Sequence, residues 1–223
     1  MKKIIMMAVM AMMVVTNAKA QYEPGTWSLK PTAGLGISYM TNMESISMGH
    51  SDLDSQVTFA ARSGIEVEYQ ATNFLGIEAG VTYTMQGGGW ENYKNDGVKI
   101  EDSRFQLQYI QVPIVANIYV AKGLALKTGV QLGFMTDADF MFTYKSKVEG
   151  YDATIDTTVD LKKECNKFDV AIPIGISYEF KNHWVIDARY NLGLSKVNKE
   201  SVSGEKDSKN GAVFVSLGYK FAL

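Results

Sequence analysis

From Trp27 to Tyr39 the chain alternates without a break. Trp27, Leu29, Pro31, Ala33, Leu35, Ile37 and Tyr39 take the odd positions, and Ser28, Lys30, Thr32, Gly34, Gly36 and Ser38 the even ones. A period of two over this length predicts a strand with one apolar and one polar face. The same code returns seven times, in the stretches Val57 to Tyr69, Leu75 to Met85, Arg104 to Tyr119, Leu124 to Phe134, Phe168 to Phe180, Trp184 to Leu194 and Val213 to Leu223. In the fourth stretch the apolar phase changes. Phe105, Leu107 and Tyr109 lie on one phase and Ile110, Val112, Ile114 and Ile118 on the other, which predicts a β-bulge near Pro113, a residue with no amide proton for the ladder.

The connections alternate in length. Those at Asn73, Ala121 to Gly123 and Lys181 to His183 are short, whereas Thr41 to Asp54, Gly87 to Ser103, Thr136 to Lys167 and Lys196 to Asn210 are long and polar. Short turns on one rim and long loops on the other are the rhythm of outer-membrane barrels. Aromatic residues add two belts. Trp27, Tyr69, Tyr178, Phe180, Trp184, Tyr219 and Phe221 sit toward the short turns, and Tyr39, Phe59, Tyr83, Phe105, Phe134 and Phe168 toward the long loops.

The polar faces collect Lys30, Arg62, Glu66, Glu68, Glu78, Lys127, Asp169, Glu179, Asp187, Arg189 and Lys220. Charges of both signs in such number form a dry core only when paired, and a soluble barrel would turn its apolar residues inward. The expected fold is therefore all-β: an eight-stranded antiparallel up-and-down transmembrane β-barrel with a polar lumen. Eight strands leave an interior that side chains can fill, so these eleven residues are expected to interlock as an ion-pair network. A narrow porin or solute-uptake channel is the alternative, and a soluble periplasmic ligand-binding barrel the third option.

The N-terminus adds an address. Lys2 and Lys3 precede an apolar run from Ile4 to Val15, and Ala18-Lys19-Ala20 follows. This is a cleavable signal peptide over residues 1–20, with the barrel domain at 21–223 and export by the general secretory pathway. The formal net charge is −2, and removing the three lysines of the leader leaves −5. An acidic chain lacks the basic footprint of a nucleic-acid binder. Cys165 is the only cysteine, so its one covalent option is an intermolecular bridge.

The run Arg189-Tyr190-Asn191-Leu192-Gly193-Leu194, preceded by the Phe168 to Phe180 strand and followed by Leu217-Gly218-Tyr219-Lys220-Phe221, resembles the closing strands of the porin-family outer-membrane β-barrel proteins common in Bacteroidetes. Tyr109 to Pro113 resembles that family's fourth strand. The resemblance implies an outer-membrane location and insertion by the barrel-assembly machinery, guided by the aromatic-rich last strand. Outer-membrane lipid and lipopolysaccharide would then be the surroundings. The chain departs from the family by ending Phe221-Ala222-Leu223 rather than on an aromatic residue.

Motifs for chemistry are sparse. The recurrent glycines open no helix after a strand, so they make no nucleotide fingerprint. Histidine is the usual catalytic base, and the two histidines lie in a long loop (His50, near Ser45, Ser47 and Ser51) and in a short turn (His183). Asp137, Asp139, Asp152, Asp156 and Asp160 fit no EF-hand spacing. No enzyme activity, catalytic residue, cofactor or metal is expected. Loops on a rigid scaffold usually carry function, so Trp90, Tyr93, Tyr144 and Tyr151 are the candidate contacts for an external ligand.

Overall fold

The computed structural model describes residues 22–43, 54–95, 98–148, 151–199 and 207–223. The expected signal peptide, His50 and its neighbouring serines lie outside them. The chain forms β1 (Trp27–Met40), β2 (Ser55–Gln56), β3 (Thr58–Gln70), β4 (Leu75–Trp90), β5 (Tyr93–Asn95), β6 (Val98–Ala121), β7 (Leu124–Val148), β8 (Tyr151–Asp160), β9 (Phe168–Glu179), β10 (Trp184–Gly193), β11 (Asn210–Tyr219) and β12 (Phe221–Ala222). All pairings are antiparallel. The long strands follow chain order, β1-β3-β4-β6-β7-β9-β10-β11, and β11 pairs back onto β1 from Thr32↔Gly218 to Met40↔Asn210. Eight strands thus close a ring, which satisfies backbone groups internally, as lipid demands.

The faces follow the alternation. Leu35 and Val215 are about 60% exposed on the outside (62% and 58%), while Arg189 and Glu78 are each 1% exposed inside. Charged residues are rarely buried in soluble proteins, so this inversion identifies lipid as the outer solvent.

Two expectations about the strands are corrected. From Phe105 to Tyr119 the alternation of β6 is unbroken: Phe105, Leu107, Tyr109, Gln111, Pro113, Val115, Asn117 and Tyr119 all face inward and are buried, and Pro113 pairs with Gln131. The apolar residues change face because the lumen itself becomes apolar toward the long connections. The β6–β7 register shifts lie instead at Glu101/Arg104, at Tyr119/Ala121 and opposite Gln108 and Tyr109, which pair with Asp137 and Met135 and leave Thr136 as the extra residue of β7. The second correction concerns two long connections. Gly87 to Ser103 and Thr136 to Lys167 are largely β-structure: β4 runs on to Trp90, β5 pairs β6, and β7 pairs β8 from Asp139↔Asp160 to Val148↔Tyr151.

Candidate functional site: the barrel lumen

Toward the short turns, inward positions on five strands converge in one ion network. Glu78 of β4 is its hub: its carboxylate accepts from Lys30 Nζ at 2.6 Å, Lys127 Nζ at 2.9 Å, Arg189 Nη2 at 3.2 Å and Asn117 Nδ2 at 3.3 Å. Glu66 takes Lys30 at 2.9 Å, Arg62 at 3.0 Å and Arg189 at 3.2 Å, and Asp187 takes Lys127 at 2.7 Å and Arg189 at 2.9 Å. Glycines make the close approach feasible. A Cβ on Gly80 would lie 2.9 Å from Glu66 Cγ and 2.5 Å from the Ile65 carbonyl oxygen. In such a site desolvation offsets much of the Coulomb gain, yet removal of one partner strands the others and costs about 3–5 kcal/mol.

A second cluster sits closer to the short-turn mouth. Lys220 Nζ reaches Glu68 at 2.8 Å and Glu179 at 3.2 Å, and the Tyr119 hydroxyl donates to Glu68 at 2.6 Å. Tyr22 lies over it, with its ring 5.3 Å from the Lys220 ammonium and its hydroxyl 2.8 Å from His183 Nδ1. Burial and the neighbouring Glu179 carboxylate push the Tyr22 hydroxyl well above its ordinary pKa, so it stays protonated. The His183 ring stacks on Tyr22 from a turn with φ of 67°.

The half of the lumen toward the long connections is built of other material. Met40, Met43, Trp90, Phe105, Leu107, Tyr109, Met135, Ala138, Cys165 and Val197 form one buried apolar cluster, with Phe140 and Leu161 against it. Trp90, Phe105 and Phe140 pack ring on ring at 5.2 to 5.7 Å between centroids. Between cluster and network lies a polar belt of Thr82, Thr84, Gln111, Gln131 and Asn191, in which Thr84 Oγ1 donates to Gln111 Oε1 at 2.7 Å.

The residues singled out from sequence therefore divide. Lys30, Arg62, Glu66, Glu78, Lys127, Asp187 and Arg189 meet in the network, and Glu68, Glu179 and Lys220 in the second cluster. Asp169 stands apart, accepting from Ser195 Oγ at 2.6 Å near the apolar cluster. Trp90 is corrected: it is 6% exposed, faces into the lumen and donates from Nε1 to the Met43 carbonyl at 3.2 Å, so it is not a surface contact. Tyr93 and Tyr144 are half-buried on the projecting hairpins and share one cross-strand row through Ile100 to Ile155. Tyr151 begins β8, and its side chain lies outside the described residues. On the opposite hairpin face Lys99 and Lys145 clamp Glu101, and these hydrogen bonds pull its carboxyl down to about 2.

The sequence reading missed the apolar cluster and the Tyr22–His183 lid. The signal for the first was available in the phase of Phe105, Leu107 and Tyr109; no comparable signal marks Tyr22. Cys165 is buried in the cluster, and burial raises its thiol pKa, so an intermolecular bridge would require it to be pulled out first. No group of three or more metal-binding side chains occurs among the described residues.

The profile of the family described as outer membrane protein beta-barrel domain matches residues 19–199. Similar solved structures include Ail, the attachment invasion locus protein of Yersinia pestis, at 18% identity over 89% of this chain and 99% of that one, with a TM-score of 0.40. Neisserial surface protein A matches at 18% identity over 88% and 97% (TM-score 0.42), and OprG from Pseudomonas aeruginosa at 10% over 90% and 97% (TM-score 0.41). Among curated proteins there is no match. The chain belongs to the outer-membrane β-barrel domain family and is a bacterial outer-membrane protein that crosses the membrane as an eight-stranded barrel.

Proposed function

We propose that the protein is a closed, non-catalytic barrel that works at the cell surface through the hairpins β4–β6 and β7–β8, with outer-membrane lipid and lipopolysaccharide around it and the barrel-assembly machinery as its partner in biogenesis. The observation that carries this reading is two fillings of different chemistry in series along the lumen: the Glu78-centred ion network and the apolar cluster around Leu107. A solute would have to separate ion pairs buried to a few per cent exposure and then cross a packed aromatic layer. Neither step is assisted by a continuous charged wall of the kind that lines open channels. Among the described residues the surface left for function is then the projecting hairpins, with the Tyr93–Ile100–Tyr144–Ile155 row on one face and the Lys99–Glu101–Lys145 clamp on the other.

Swelling of liposomes carrying the refolded protein tests this reading. In isosmotic glycine or arabinose the vesicles are expected to swell no faster than protein-free vesicles, while the heat-dependent gel shift confirms an intact barrel. Swelling at rates typical of a general porin would replace the closed reading with that of a narrow channel.

A further inference from the structure

Three glycines in a row, Gly87-Gly88-Gly89, mark a place where the barrel wall parts. The β3–β4 ladder runs without a gap from Gln70↔Gly76 to Ala61↔Met85 and then lapses until Gln56↔Gly89. Across the gap β3 stays with β1, through Phe59↔Ile37 and Thr58↔Ser38, and β4 stays with β6, through Gly87↔Gln106 and Gly88↔Phe105. The Gly87 amide donates to Ser38 Oγ of β1 at 2.8 Å. A Cβ on Gly88 would lie 2.6 Å from Met43 Sδ and 2.9 Å from the Met40 nitrogen. β4 therefore leans inward across the lumen, past β3, and leaves a slot between the two strands.

The slot holds a cavity of about 470 Å3, within the roughly 300–1,000 Å3 of ordinary ligand sites. Trp90 and Phe105, 6% and 9% exposed, are among its lining residues, so it abuts the apolar cluster. Phe59, 60% exposed, and Met85 form the side toward lipid. The rim carries Gln56, Asn92 and Gln106, and among the described lining residues the charged ones are Arg104 and Asp102, while Gln56 Nε2 also donates to Glu91. Below it on the outer wall, the Tyr83 hydroxyl donates to Gln108, a tyrosine–amide pair suited to the membrane interface.

We propose that this slot binds the sugar head of an amphiphile. Amides offer donors and acceptors together, as ring hydroxyls do, whereas a single arginine on a rim that also carries a carboxylate is poorly matched to a phosphate. The exposed Phe59 ring offers an apolar face to a sugar ring, and the Phe59–Met85 side continues into lipid where a chain would run. The same head could arrive on a membrane glycolipid or as a free glycan. The inference rests on the barrel and not on a closed lumen, so a protein that fails the swelling test would still bind here.

Isotope-labelled protein in dodecyldimethylamine oxide micelles tests it through the indole N–H resonances of Trp27, Trp90 and Trp184. Dodecyl maltoside is expected to shift the Trp90 resonance saturably while leaving Trp27 and Trp184, at the short-turn end, in place. Dodecylphosphocholine, with the same chain, should act roughly ten-fold more weakly, and Gln106→Ala with Asn92→Ala together should weaken the maltoside effect roughly thirty-fold, each lost hydrogen-bond partner costing about 1 kcal/mol. Unmoved Trp27 and Trp184 resonances in that variant show that the barrel has folded. Maltose alone decides the source: a saturable Trp90 shift assigns the slot to free glycans, and silence assigns it to membrane glycolipids. A Trp90 resonance that ignores dodecyl maltoside, or follows dodecylphosphocholine equally, overturns the proposal.

Discussion

The two halves of the lumen are filled by opposite means. Near the short turns, Lys30, Lys127, Arg189 and Arg62 are held by Glu66, Glu78 and Asp187, each acceptor serving at least two cations. Near the long connections, Leu107, Phe105, Trp90 and Met135 fill the same cross-section with apolar volume. The difference teaches that an inside-out barrel need not be polar inside throughout. Within the spanning strands both surfaces exclude water, and the inner one gathers most of its charge where opposite charges meet. Where the wall leans inward at Gly87 to Gly89, aromatic and thioether side chains fill the space instead.

This comparison can be broken most sharply at Glu78. Glu78→Ala removes the acceptor shared by Lys30, Lys127 and Arg189, and about 3–5 kcal/mol of unfolding free energy is expected to vanish. A urea titration of folding into phosphocholine vesicles reads that loss, and a loss under 1 kcal/mol would mean that the network relaxes around the gap. Leu107→Ala attacks the other half. Leu107 is fully buried, and the cavity left should cost about 2–4 kcal/mol. Because no charge changes, this cost should be the same in low and high salt, whereas unequal costs would show that the two fillings are coupled.

A smaller effect is expected at the boundary between wall and lumen. Gly88→Ala would place a methyl against Met43 Sδ and the Met40 backbone, for an overpacking cost of about 1–3 kcal/mol. The smallest effect belongs to the hairpin clamp. Lys99, Glu101 and Lys145 form close ion pairs, but the pairs are solvent-exposed, and Glu101→Gln should leave the urea midpoint unmoved. The sign of its pH dependence is set by the depressed carboxyl. A group with folded pKa of about 2 supports the hairpin above the ordinary glutamate range and loses that support as pH falls toward 2. Protease nicking of the β5–β6 and β7–β8 hairpins in wild type should therefore rise only in that acidic window, and a rise already at pH 6 would exclude the clamp as its cause.

Much of the wall was legible because alternation is a local property. Lys30, Glu66 and Glu78 sit on the polar phase of their strands, and that phase alone turns them inward. What alternation could not give is depth, because register and strand tilt decide which inward residues meet. Hence Asp169, on the same phase as Glu179 in β9, ends beside Ser195 and far from the network. The phase change of Phe105 and Leu107 was visible but read as a bulge, since a uniformly polar lumen leaves no other explanation. Trp90 was assigned to a loop because Gly87-Gly88-Gly89 reads as a turn signal, whereas the glycines let a strand lean over the lumen. The Tyr22–His183 contact joins residues 161 positions apart, which no periodicity records.

Planar-bilayer recording of the refolded barrel addresses the central claim most directly. Two fillings in series predict no unitary currents from the wild type, and none from Leu107→Ala, in which the ion network remains. Reproducible unitary currents from the wild-type protein would contradict the account.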